Sequence, residues 1–258
     1  MKITIKEKIS NKLVKAFLEN KIIEALPKKF TKKLTEADKF RKLCESKIKE
    51  PIIGYKAGGT GIPLLKKLKE KEPFYASVYR RNFLKSGKRV KINNYTLGIE
   101  LEVCYLIKKN FFNSNKVITM KNIKNYISGV APCIEVVGYR QKKKGLKFLG
   151  DICGDFGANV KFLIGTKKLN KGINVKNLKT EIVNASAKQV VKGNTNTVYK
   201  NPLNSCRFVL NKLRKDNVFL KKDFYIFTGS TVGVVPIVKK GLYSAKIKKL
   251  GSVKVNII

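Results

Sequence analysis

The chain contains no histidine and no tryptophan, and only 17 acidic residues stand against 57 basic ones. Without histidine there can be no Ser-His-Asp or Cys-His nucleophile relay, and no His-ligated zinc, copper or non-haem iron. The five cysteines, Cys44, Cys104, Cys133, Cys153 and Cys206, are scattered, with no Cys-x-x-Cys pair. An odd, dispersed set reads as buried thiols in a reducing compartment, not as a disulfide framework or a zinc ribbon. The sequence carries no N-terminal signal and no apolar run of about 18 residues. These absences predict a cytoplasmic protein that does not enter a membrane.

What is abundant is lysine. The formal charge is +40, and only seven of the 57 basic residues are arginine. Such a charge allows two functions: a non-catalytic basic module that binds nucleic acid or another anionic surface, or an enzyme whose surface is merely rich in lysine. Phosphate readers favour arginine, whose planar fork grips phosphate in two places. Here the lysines run evenly from Lys2 to Lys254 alongside much Asn and Ile. We therefore read the charge as residue-usage bias, with no nucleic-acid partner implied. Hydrophobic residues make up 43% of the 258, enough for a sizeable core in one large domain or a domain with a smaller unit.

The pattern divides near residue 50. Residues 1–50 read as helical: Leu13, Phe17 and Ile22 recur at near-helical spacing, and Thr35 looks like a helix cap followed by acids in the first turn. Residues 51–258 carry frequent glycine and short apolar runs with strand character, at Tyr95–Ile107, Ala131–Val137, Lys161–Ile164, Phe224–Phe227, Val232–Val238 and Val253–Ile257. Helical stretches are expected around Lys121–Ser128 and Leu203–Leu213, with Pro202 in the first turn of the second. The basic runs Gln141–Lys144 and Lys167–Lys171 are expected to be solvated turns. The fold class predicted is α+β, a helical N-terminal region (1–50) followed by a mixed, mostly antiparallel β-rich catalytic domain (51–258).

Scarcity makes the acids informative. Between Pro73 and Gly150 there are only Glu100, Glu102 and Glu135, each within an apolar run. In a strand Glu100 and Glu102 point the same way, and two half-buried like charges repel and lose hydration unless a cation sits between them. A surface Glu-x-Glu paired with lysines would be the bland alternative. Three carboxylates without a nitrogen or thiolate ligand suit a hard divalent ion, Mg²⁺ or Mn²⁺. The segment Gly54-Tyr55-Lys56-Ala57-Gly58-Gly59-Thr60-Gly61 fits neither a Walker loop nor a dinucleotide fingerprint. It is either backbone approaching a small anion or an ordinary glycine turn with a solvated lysine.

Taken in order, these segments resemble the 2-keto-4-pentenoate hydratase, 2-oxohept-3-enedioate hydratase and 4-oxalocrotonate decarboxylase group of the fumarylacetoacetate hydrolase superfamily, from about Leu34 to the C-terminus. Gly54–Thr60 is similar to its Gly-Tyr-Lys-Ile-Gly-x-Thr segment, Gly98–Glu102 to its Glu-x-Glu strand, and Ala131–Glu135 to its Pro-Ala-Ile-Glu strand. Asp151 and Asp155 fall on its Asp-x-Ile-Ala-Asp-Asn stretch. Asn201-Pro202, Leu220 with Asp223, and Thr228–Thr231 match further pieces. Val137-Gly138-Tyr139-Arg140 departs from its Val-Asp-Ser-Arg. No Asp lies between Lys71 and Asn82, where some members carry an active-site acid.

The resemblance implies a fold of fumarylacetoacetate-hydrolase type and a homo-oligomer. It implies Glu100, Glu102 and Glu135 as ligands of Mg²⁺ or Mn²⁺, Lys56 as the catalytic lysine, and Thr60, Asp155 and Ser230 as substrate-binding residues. The activity implied is metal-dependent hydration of a 2-hydroxy-2,4-dienoate to a 4-hydroxy-2-oxo acid, with decarboxylation of a vinylogous 2-keto diacid as the alternative. The superfamily's C–C hydrolases typically use a histidine, so its absence favours hydratase or decarboxylase. The cationic surroundings are expected to lower the pKa of Lys56.

Overall fold

The computed structural model describes residues 3–143, 145–169 and 174–258. Two helices lead. α1 (Ile5–Glu19) opens on a capping box in which Thr4 and Glu7 satisfy each other's backbone N–H groups, and it ends at Asn20 in a left-handed conformation. α2 (Leu34–Glu45) starts two residues earlier than expected, because the Lys33 carbonyl already accepts from Glu36 and Ala37. Thr35 therefore lies inside the first turn and caps nothing. Leu13 and Phe17 of α1 and Phe40 of α2 join Phe30, Tyr79 and Phe156 in one cluster, with Phe30 stacked on Phe40 at 4.9 Å.

The remaining elements are β1 (Ile52–Gly58), α3 (Ile62–Lys67), β2 (Phe74–Tyr79), β3 (Phe83–Lys85), β4 (Arg89–Val90), β5 (Thr96–Ile107), β6 (Ile127–Gly138), α4 (Leu149–Cys153), β7 (Asn159–Ile164), β8 (Lys168–Leu169), β9 (Lys179–Asn184), β10 (Gln189–Asn194), α5 (Pro202–Lys215), β11 (Phe224–Ser230), β12 (Gly241–Ile247) and β13 (Gly251–Ile257). One sheet runs β2-β1-β11-β5-β6-β7-β3 with β8 added to β6, and a second runs β10-β9-β12-β13-β4. All pairs are antiparallel except β1 with β11, β3 with β7 and β4 with β13. The α+β expectation, helices first and a mostly antiparallel body after, is met.

Alternation along β5 and β6 decides what each sheet face does. Leu101, Val103, Tyr105, Ile134 and Val136 share a core with Tyr243, Ala245, Val253 and Val255 of the second sheet and with Val209, Leu210 and Leu213 of α5. The even-numbered side chains of β5, including Glu100 and Glu102, are left to the opposite face.

Several local expectations fail. Lys121–Ser128 makes only a short 3₁₀ turn at Ile123–Tyr126, and Ile127 already belongs to β6. Val232–Val238 is not a strand: Gly233 has φ 76°, Pro236 has no N–H to give, and the only pairing there is a bridge between Val235 and Ile99. Gln141 is buried and accepts from the Leu26 N–H, while Lys142 and Lys143 pair with Glu24 and Asp151, so this run is not a solvated turn. Lys144, Asn170 and Lys171 lie outside the described residues.

Arg41 ties α2 to the sheet. Fully buried, it pairs with Asp38 at 2.6 Å and with Glu45, and its guanidinium lies 4.7 Å from the centre of the Tyr75 ring. Truncating it strands Glu45 without its buried partner, so Arg41→Ala is expected to cost about 3–5 kcal/mol in urea unfolding. A loss under about 1 kcal/mol would mean that water reaches the site.

Candidate active site

The pairing of β5 with β6 places Glu100 directly opposite Glu135 and Glu102 opposite Cys133. One carboxylate oxygen from each of Glu100, Glu102 and Glu135 lies within 4.8 Å of the others. Glu102 and Glu135 are wholly buried, and Glu100 is partly exposed on the wall of a cavity. Lys56 reaches the cluster from β1. The Gly54–Gly61 segment is thus neither of the two loops that the glycines suggested: its first five residues are strand, and the turn falls at Gly59, φ 73°. The Lys56 Nζ sits 2.5 Å from Glu135 Oε1 and donates to the Gly157 carbonyl at 3.0 Å. A bulge in β11 between Phe227 and Ser230 brings Gly229 against Thr60. There φ is 100°, and a Cβ would stand only 2.0 Å from Thr60 Oγ1, so this position needs glycine.

One ammonium faces three carboxylates, and the balance shows in their acidities. Burial, then repulsion from Glu135, pushes Glu100 up to about 7 against the pull of Lys56. Burial and Glu135 drive Glu102 far above the carboxylate range, and burial raises Glu135 even though Lys56 touches it. For Lys56, burial acts downward, but Glu135, Glu100 and Glu102 outweigh it and the pKa rises. This corrects the expectation drawn from net charge: three carboxylates nearby outweigh surface lysines that solvent and salt screen.

Both Oε atoms of Glu102 and Oε2 of Glu135 are buried without a hydrogen bond of ordinary geometry. Orphaned buried carboxylate oxygens are costly unless something else satisfies them. Three oxygen donors converging within ion-binding reach fit a hard divalent cation, and the residues present suit Mg²⁺ or Mn²⁺.

The cavity measures about 1050 Å³. Lys56, Gly59, Thr60 and Glu100 line it, Leu97, Val137, Tyr139, Leu146 and Ile152 supply apolar wall, and Lys192 and Lys200 contribute exposed cations. Thr60 and Ser230 both line it. The Ser230 hydroxyl donates to the Gly233 carbonyl at 2.8 Å, so toward a ligand it offers lone pairs. Asp155 is not on the cavity wall. Its carboxylate is wholly buried and accepts from the Arg140 N–H at 2.7 Å and the Arg140 guanidinium at 3.1 Å, which leaves it unable to reach a substrate. Asp151 likewise serves structure, accepting from the Phe148 N–H at the start of α4. The Gly157 carbonyl, Lys192 and Lys200 had no sequence signal: a carbonyl has no side-chain mark, and two lysines among fifty are invisible.

No known protein family matches the chain by sequence. By structure, the fold is of the fumarylacetoacetate hydrolase type. The chain is similar to 4-oxalocrotonate decarboxylase from Pseudomonas putida G7 with magnesium and adipate, at TM-score 0.82 and 18% identity over 100% of this chain and 99% of that one. It is also similar to fumarylpyruvate hydrolase from Pseudomonas aeruginosa with Mn²⁺ and pyruvate (TM-score 0.59, 14% identity, 81% of this chain and 91% of that one). A third likeness is to a putative fumarylacetoacetate hydrolase family protein from Yersinia pestis CO92 (TM-score 0.54, 14% identity, 82% and 95% covered). Among the described residues, no helix is long and apolar enough to cross a membrane.

Proposed function

We propose that the chain is a divalent-metal-dependent lyase for unsaturated 2-oxo acids, acting by hydration of a 2-hydroxy-2,4-dienoate or by decarboxylation of a vinylogous 2-oxo diacid. The observation that carries this is the buried Glu100, Glu102 and Glu135 cluster, with oxygens lacking partners, facing Lys56 at the base of the cavity. A bound Mg²⁺ or Mn²⁺ would supply Lewis-acid polarisation of a 2-oxo group. The three glutamates hold that charge, and the bulged β11 loop brings Gly229 and Ser230 to the rim.

Lys56 carries the proton. Held protonated at Nζ, it is poised to deliver it to an electron-rich oxygen or carbon of the substrate. Thr60 offers a hydroxyl beside it, and Leu97, Val137 and Leu146 keep water from the apolar stretch of the substrate.

Decarboxylation has one specific support. Hydration needs a base for the incoming water as well as a proton for carbon; losing CO₂ needs only an electron sink and one proton. Among the described residues lining the cavity, Glu100 is the sole acid, and Glu72, the one acid between Lys71 and Asn82, is at the surface paired with Lys212. Lys192 and Lys200 give a second carboxylate something to meet.

Product analysis decides. With Mg²⁺ or Mn²⁺, a vinylogous 2-oxo diacid should yield CO₂ and a 2-hydroxydienoate, whereas 2-hydroxypenta-2,4-dienoate should yield a 4-hydroxy-2-oxo acid if the enzyme hydrates. Consumption of neither substrate would refute the lyase assignment.

A further inference from the structure

Three successive residues beside the site adopt left-handed backbone: Phe156 (φ 50°), Gly157 (φ 74°) and Ala158 (φ 56°). Phenylalanine and alanine disfavour that region, and such a turn persists only where its surroundings hold it. The holding group is Arg140. Its backbone N–H donates to Asp155 Oδ2 at 2.7 Å and its guanidinium to Asp155 Oδ1 at 3.1 Å, while the other arm of the fork reaches the Asn159 carbonyl. One side chain therefore grips both ends of the 155–159 segment. Its guanidinium also lies 4.9 Å from the Phe17 ring centre and 5.7 Å from that of Phe156, so it is packed as well as paired.

The segment so held touches one functional group. The Gly157 carbonyl accepts from Lys56 Nζ at 3.0 Å, and the Gly157 backbone comes so close to the lysine stem that a Cβ would lie 3.0 Å from Lys56 Cδ. Among the described residues, the only other acceptor of that ammonium is Glu135, at 2.5 Å. With Glu135 alone, three carboxylates would draw Nζ into their midst, where it would compete for their oxygens. The Gly157 carbonyl gives Nζ a second acceptor outside the three carboxylates, and Lys56 lines the cavity.

We infer that Arg140, with Asp155, is a positioning residue for Lys56: the buried ion pair locks the left-handed turn that aims the Gly157 carbonyl at the ammonium. This rests on the role given to Lys56 above. The role at the substrate that the resemblance implies for Asp155 is thereby relocated, to a residue acting two steps from it.

The test uses the whole 258-residue chain. Arg140→Lys keeps the charge but not the fork, and the double variant Arg140→Gln with Asp155→Asn removes both charges, leaving neither buried alone. The direct readout is the ¹H–¹⁵N signal of the Lys56 ammonium in metal-free, substrate-free protein, assigned by its loss in Lys56→Met. In a variant that still unfolds cooperatively, that signal should shift and exchange faster with water. In turnover, kcat should fall about 100-fold while KM stays near the wild-type value. An unshifted ammonium signal in the folded variant overturns the inference. If neither variant folds, Gly157→Ala tests the same contact with the ion pair intact, and an unmoved signal there overturns it equally. If the wild type turns over no acid offered, the lyase assignment fails by itself, while the ammonium signal still decides the positioning role.

Discussion

Glu102→Ala is expected to abolish Mg²⁺ binding while leaving the metal-free protein as stable as the wild type or more so. Glu102 is wholly buried, and neither of its carboxylate oxygens makes a hydrogen bond of ordinary geometry, so truncation breaks no such bond and relieves the cost of burying that carboxyl group. A small cavity partly offsets that relief. A ligand that binds only the folded state stabilises it by about 2.7 kcal/mol at 100 times its dissociation constant. Unfolding with and without Mg²⁺ should therefore show a shift for the wild type and none for the variant, with calorimetric titration confirming the loss. Tight Mg²⁺ binding by Glu102→Ala would remove the metal site from consideration.

The same cluster predicts opposite pH trends with and without metal. Glu100 titrates near 7 in the folded metal-free protein against 4.5 for the unconstrained side chain, a raised value. The folded state thus holds a proton that the unfolded chain has released. The stability linked to that proton is fully present below about 4.5 and is lost as pH rises through about 7. Metal affinity runs the other way, since carboxylates must be deprotonated to serve as ligands. Mg²⁺ should accordingly stabilise the protein more at pH 8 than at pH 5.

Lys56→Met should lower kcat by a factor of about 10²–10⁴, the usual contribution of a positioned proton donor, with Mg²⁺ binding retained. Methionine matches the length of the stem, so the loss is one of charge and proton, not of packing. Removing the ammonium also takes away the one cation in contact with Glu135, and Glu100, Glu102 and Glu135 should all become harder to ionise in the metal-free protein. Metal titrations of wild type and variant across pH, beside single-turnover kinetics, separate the two effects. A kcat within about tenfold of wild type would assign the proton transfer elsewhere.

Much of this site was legible because acids are rare in the chain. Glu100 and Glu102 share a strand face by alternation alone, and Glu135 is isolated in a second apolar run, so the sequence itself marks these residues. The Gly54–Gly61 segment was harder: its glycines suggested a loop, yet Gly54 is in a strand because its Cα packs against the Tyr225 backbone, where a Cβ would lie 2.3 Å from the carbonyl oxygen. That contact comes from 171 positions along the chain and has no local sign. Val232–Val238 shows the converse error, since β-branched residues marked a strand that Gly233 and Pro236 prevent.

Asp155 marks where sequence reasoning stops. The sequence placed it in a segment of interest; only packing showed that Arg140 consumes its carboxylate. Net charge pointed to a lowered Lys56 pKa and the structure raises it, because +40 spread over a surface is screened by solvent, whereas three carboxylates at the end of one side chain are not. By itself the sequence determined which chemistry was open: no histidine relay, no thiolate metal site, and three carboxylates on apolar strands. The tertiary structure decided which groups touch. Strand pairing sets Glu100 against Glu135, parallel pairing of β1 with β11 carries Lys56 to them, and a turn locked from Arg140 gives the lysine its second anchor. Alternation is a local rule that a sequence can express, but contact between residues a hundred positions apart depends on how whole sheets close.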